Sequence, residues 1–189
     1  MMSGTDTILA VEASRVIATP RGDVTLRPER PVDDGFLSRL FMLNNIGILH
    51  QAGLPQAMIS QLIAMQHRSQ TATYRGMFPD ARFWIVECNG EPIGRYIEYD
   101  EDNAVYIVDV ALLPDHQARG IGPALVRGTQ KACESRGCGA RAKVMVNNEP
   151  SLKMLHRLGF VDIGTDAHAY STLFWYPPDH PQTRSAVIG

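Results

Sequence analysis

The chain lacks the features that would place it in several large classes at once. It has only three cysteines in 189 residues, Cys88, Cys133 and Cys138, scattered and odd in number. That argues against a disulfide framework, and no Cys/His cluster has zinc spacing, so no metal is expected. The thiols read as reduced and the location as cytoplasmic. No apolar run approaches the roughly 20 residues that span a bilayer. The early stretch "ILAVEASRVIA" is broken by Glu12 and Arg15 and has no basic leader, which makes it a poor signal peptide. Neither sign of charge is in excess: 18 Lys and Arg stand against 20 Asp and Glu, a formal net charge of −2. Nucleic acid and anionic membrane, which call for a basic surface, are therefore not expected partners. Internal repeats and low-complexity tracts are missing too.

What is present is an ordinary globular composition, 44% hydrophobic and 20% charged, of a length suited to one domain. Residues 1–22 read as a loosely attached leader ending at the turn signal "TPRGD", and residues 179–189 as a tail, leaving 23–178 as the domain. "DVTLRPE" offers a short strand. Asp33 or Asp34 caps a helix running to about Ile48, and "GLP" at 53–55 breaks it. A second helix runs to about Arg75, with Met58, Leu62, Met65 and Ile59 on the apolar stripe expected to face the core. "RFWIVEC" and "PIGRYIEY" flank "NGE", a hairpin signal, and "AVYIVDVALL" extends them into an antiparallel meander. A helix over about 123–135, the strand "GCGARAKVMV", the helix "PSLKMLHRLG" and the hairpin "FVDIG"/"AYSTLFWY" complete the chain. The fold class is α/β, a mixed sheet with crossover helices.

One loop carries a chemical signal. Gln117, Ala118, Arg119, Gly120, Ile121 and Gly122 span the end of a strand and the start of a helix. Successive amides there form a concave nest for phosphate oxygens, reinforced by the helix dipole. A nucleotide-binding P-loop would end in Gly-Lys-Ser/Thr, and no lysine is present. The dinucleotide fingerprint needs a third glycine where Leu125 stands. Packing alone would otherwise account for the two glycines.

The run "VALLP" followed by "QARGIG", a helix, a strand ending in "VNN" and then "SLKMLHRLGF" resembles the GNAT N-acetyltransferases. The resemblance covers residues 108–160 in its motifs and 23–176 in its order of elements. It implies a mostly antiparallel central sheet, splayed at a cofactor cleft, with helices on both faces. It also implies acetyl-coenzyme A as cofactor, with its pyrophosphate on the amides of Ala118 to Gly122. Its pantetheine arm would lie between the strand ending in Leu112 and Leu113 and the one ending in Val146. Gln117 and Arg119 would add side-chain contacts, although Arg119 equally suits a solvated surface. Asn148 would reach the pantetheine, a role compatible with capping the next helix. Pro123, read as the first helical residue, costs the loop one amide donor.

The proton-handling groups are less defined. Family members often carry a tyrosine on the last helix as proton donor to the leaving thiolate, and here that position is Leu155. The neighbouring His156 is about 100° away around the helix and is expected at the surface. Water or a tyrosine from another element, such as Tyr170, remains. Asp109 is the first candidate for the base that deprotonates the amine, with Glu98 and Glu87 behind it; a structural carboxylate is the competing role for Asp109. His50, His67, Arg68, Tyr74 and Phe78 are candidates to line the acceptor site. The expected activity is acetyl transfer to a primary amine of a small molecule, with a homodimer left open. Two alternatives stand: a GNAT-like module that binds acyl-CoA without turnover, and O-acetyl or longer-acyl transfer.

Overall fold

Asn89 and Gly90, both at positive φ (52° and 82°), turn the chain back on itself and start an antiparallel meander. Its strands are β3 (Arg82–Cys88), β4 (Glu91–Asp100) and β5 (Ala104–Leu112). The computed structural model describes residues 14–51 and 55–180. Before the meander come β1 (Arg15–Ile17), β2 (Val24–Pro28), α1 (Asp34–Gln51) and α2 (Gln56–Met77). After it come α3 (Ile121–Arg136), β6 (Gly139–Met145), α4 (Glu149–Arg157), β7 (Val161–Thr165) and β8 (Tyr170–Trp175). Among the described residues no helix is long and apolar enough to cross a membrane.

All eight strands form one sheet in the order β1-β2-β3-β4-β5-β6-β8-β7. Every neighbouring pair is antiparallel except β5 and β6. Those two pair in parallel only from Ala104↔Gly139 to Ile107↔Ala142, and then diverge. The divergence has a local cause. Ile97 pairs with Asp109 but Glu98 pairs with Ile107, so Val108 is an extra residue that bulges and bends β5. The splayed, mixed sheet is the architecture expected from the sequence.

Two apolar layers hold the sheet. On one face Trp84, Val86, Tyr96, Val105 and Ile107 pack with Leu125 and Val126 of α3. On the other, Ile85 packs with Leu37 and Leu40 of α1, and Ala111 and Leu113 lie against them. Three sequence expectations need correction. Arg15–Ile17 belong to the sheet, paired with β2, so the leader as drawn to residue 22 includes a strand; residues 1–13 lie outside the described residues, as do 181–189 of the tail. Helix α3 begins at Ile121, which makes Pro123 its third residue and not its first. The buried stripe of α2 is Ile59, Ile63 and His67, whereas Met58 and Met65 are 48% and 55% exposed. Both stripes have helical spacing and lie one residue apart, and a histidine in the buried one disguises it.

Candidate active site

Helix α3 starts from a strained loop. Ala118 (φ 54°) and Gly120 (φ 83°) are left-handed, and Gly120 is the N-cap with no side-chain cap. The turn before it satisfies His116 and Gln117, whose amides bond to the carbonyls of Leu113 and Pro114. The helix ladder begins only with Ala124, which donates to Gly120. Among the described residues, the amides of Ala118, Gly120, Ile121 and Gly122 thus have no carbonyl partner, while that of Arg119 closes the turn over Gln117 and Ala118. At Gly120 a Cβ would come within 3.0 Å of Pro20 Cγ, so the turn itself demands glycine there. Gly122 is different. It has no positive φ, and a Cβ would make only ordinary contact, 3.5 Å from Met154 Sδ. The fold does not require glycine at 122, whereas an anion drawing close to bare amides does.

The loop opens onto the divergence of β5 and β6. Leu113 donates its amide to Ile93, so Leu113, Ala111 and Asp109 direct their peptide groups at β4. Those of Val110 and Leu112 point the other way, into the gap. The Leu112 carbonyl accepts from Asn44 Nδ2 (3.1 Å) and Gln117 Nε2 (2.9 Å), and Gln117 Nε2 also donates to Asn44 Oδ1 (2.8 Å). Gln117 is therefore tied back to the strand. Arg119 is exposed. Across the gap Met145 and Val146 are exposed apolar residues. Asn148 caps α4, its Oδ1 accepting from the Ser151 amide (3.3 Å).

On the α1–α2 side lies an open groove of about 440 Å³, walled by Phe41, Asn45, Gln66, Gln70, Tyr74 and Tyr170 among others. Asp109 faces the same side. Its Oδ2 accepts from Arg95 Nε (2.9 Å) and lies 2.7 Å from Arg95 Nη2. Arg95 is itself buried, 6% exposed, and its Nη2 also donates to Gln70 Oε1 (3.0 Å). The guanidinium sits 5.4 Å from the Tyr74 ring. Burial first, and then the Asp109 charge, push the Tyr74 hydroxyl well above its ordinary value, so it stays a neutral donor. Asp109 and Tyr170 thus share one face of the sheet: Arg95 ties Asp109 to Gln70, and Gln70, Tyr74 and Tyr170 line the groove.

Glu98 is not brought to this groove. It faces α3, 2% exposed, accepting from Trp84 Nε1 (3.1 Å), Thr129 Oγ1 (2.5 Å) and Arg15 Nη1 (3.2 Å). Glu87 accepts from Arg27 Nε (2.6 Å). Leu155 is buried in the main core, and His156 pairs with Asp162 (2.8 Å) at the surface. His67 is buried against Phe41, and Phe78 packs between Tyr99 and Tyr106. Arg68 is exposed, and the side chain of His50 lies outside the described residues. Sequence reading missed Arg95 and Gln70, because their role depends on contacts between elements that no spacing records.

Residues 56–160 match the model of the acetyltransferase (GNAT) family. An N-alpha-acetyltransferase of Sulfurisphaera tokodaii is 26% identical over 106 residues, 49% of this chain and 64% of the relative, so this chain spans less than two thirds of that relative's length. The PaiA N-acetyltransferase of Thermoplasma acidophilum, solved with coenzyme A, superposes with a TM-score of 0.61 at 15% identity, over 81% of this chain and 98% of its own. RimJ of Mycobacterium smegmatis, solved with CoA-disulfide, gives 0.61 at 18% identity, over 95% and 96%. At such identities the two structures speak for the fold, and the family match covers more than half of the chain. With the splayed sheet and the bare loop amides, the match leads to one conclusion: the chain belongs to the GNAT family of acetyltransferases.

Proposed function

We propose that the protein transfers an acetyl group from acetyl-CoA to a primary amine of a small molecule. The observation that carries this reading is the set of four unpartnered amides within residues 118–122, those of Ala118, Gly120, Ile121 and Gly122, opening onto the gap between β5 and β6. When bound, acetyl-CoA supplies an acetyl group activated as a thioester. The loop amides hold the pyrophosphate, and the Val110 peptide groups with the Leu112 N–H pair with the amides of the pantetheine arm. A free primary amine of pKa about 10.4 is largely protonated near neutrality, so the acceptor must lose a proton before it attacks. Asp109 takes that proton directly or through a water, with Arg95 fixing the carboxylate through Oδ2. Tyr170, on the groove wall, is the candidate to return a proton on the leaving side. The names of the relatives, both an N-alpha-acetyltransferase and an N-acetyltransferase, support nitrogen as the acceptor atom.

Calorimetry with coenzyme A on the wild type and on Gly122→Ala tests the cradle. The added Cβ fits the fold, yet it narrows the approach to the amides, and affinity is expected to fall about tenfold or more. Unchanged affinity in the folded variant would overturn the cradle. Thiol release from acetyl-CoA across an amine panel tests turnover. Coenzyme A binding without amine-dependent release would leave a non-catalytic acyl-CoA-binding module as the better reading.

A further inference from the structure

The groove on the α1–α2 side has two amide side chains whose orientation is fixed from outside it. Gln70 receives Arg95 Nη2 at 3.0 Å, and a guanidinium has no acceptor. The atom of Gln70 that faces Arg95 must therefore be Oε1, which leaves the Nε2 hydrogens for the groove. Asn45 sits in the opposite sense. It bonds to the Phe41 carbonyl at 2.8 Å, and a carbonyl only accepts, so Nδ2 faces the helix backbone and Oδ1 is left for the groove. The groove thus offers a donor from α2 and an acceptor from α1, each held by a partner within the protein. Among the described residues that line the groove there is no carboxylate.

We propose that Asn45 and Gln70 read a neutral amide group carried by the acceptor amine: its carbonyl accepts from Gln70 Nε2 and its N–H donates to Asn45 Oδ1. This rests on the transferase reading above and narrows its acceptor to amines bearing an amide, as in an amino amide or the end of a peptide. A polyamine fits poorly. Protonated, it presents only donors, so the Gln70 hydrogens would meet no acceptor, and cations beyond the one facing Asp109 would meet no carboxylate on the groove wall.

The test uses acetylated products, whose acetylated nitrogen no longer titrates, so that differences in amine basicity drop out. N-acetyl-alaninamide, its hydrocarbon counterpart N-acetyl-3-methylbutan-2-amine and N1-acetylspermidine are titrated by calorimetry into the full chain saturated with coenzyme A. The amide is expected to bind about tenfold or more tighter than either of the others. In Gln70→Glu and in Asn45→Asp separately, that preference should shrink to about twofold, with coenzyme A affinity unchanged as proof of folding. Equal binding of amide and hydrocarbon to the wild type would overturn the proposal, as would a preference that survives in both variants. N-acetyl-tetraalanine amide, run alongside, reads the source of the group. Tighter binding than alaninamide assigns a peptide chain, and equal binding assigns a small amino amide. Loss of amine-dependent thiol release with the amide preference intact would strike the transferase reading alone.

Discussion

His67 is held neutral by its surroundings. It is 5% exposed, its Nε2 is buried without a partner, and burial followed by the nearby Arg95 charge lowers its pKa from the ordinary 6.5. Arg68 acts in the same direction, and only Asp34 opposes it. The unfolded chain takes up this proton near pH 6.5 and the folded chain only at lower pH, so between the two values the unfolded state binds more protons. Stability from this residue is therefore complete above about pH 6.5 and is lost as the pH falls below it. Urea midpoints at pH 7 and pH 5.5 should show a smaller acid-induced drop in His67→Leu than in the wild type; parallel drops would remove His67 as the cause. At this scale the sequence was legible where one residue type has one job. The glycine loop, the cap at Asn148 and the missing tyrosine at Leu155 could all be read from it. Asp109 was legible as a residue but not as a partner of Arg95. Those two meet only because Val108 bulges, and no glycine or proline announces the bulge.

Helix α3 is tied to the sheet by more than apolar contact. Thr129 Oγ1 donates to Glu98 Oε1 (2.5 Å) and meets the Tyr96 hydroxyl at 2.6 Å, in the middle of the main core. Thr129→Val keeps the shape and removes the hydroxyl, which leaves a buried carboxylate oxygen and a phenol short of a partner. The variant is expected to lose about 1–3 kcal/mol in chemical denaturation, and a loss within about 0.5 kcal/mol would show that the network is not needed to hold the helix. The elements themselves were readable wherever periodicity was long. Asn89-Gly90 marked the hairpin, and spacing and breakers gave two helices to about Ile48 and Arg75, which the structure carries on to Gln51 and Met77. β1 was not readable, because three residues are too few to show alternation and their place in the sheet comes from pairing with β2.

For the molecule as a whole, the divergence of β5 from β6 sets how exposed its backbone is. The amides of Val110 and Leu112 face the gap, while that of Leu113 is bonded to β4. Hydrogen exchange should accordingly be faster at Val110 and Leu112 than at Leu113, and saturating coenzyme A should slow the first two selectively. No change at those two amides on adding coenzyme A would mean that the ligand does not run along the strand.

The same divergence gives the sheet four edges instead of two. β1 and β7 close its outer limits, and β5 and β6 add a facing pair of rims in its interior. An unpaired rim is a template for a strand from any chain, including another copy of this one. Asn44 and Gln117 plug one position of that template by occupying the Leu112 carbonyl. A ligand lying in the gap would plug the rest, so filling the site would also shield the protein from adding foreign strands to the middle of its own sheet.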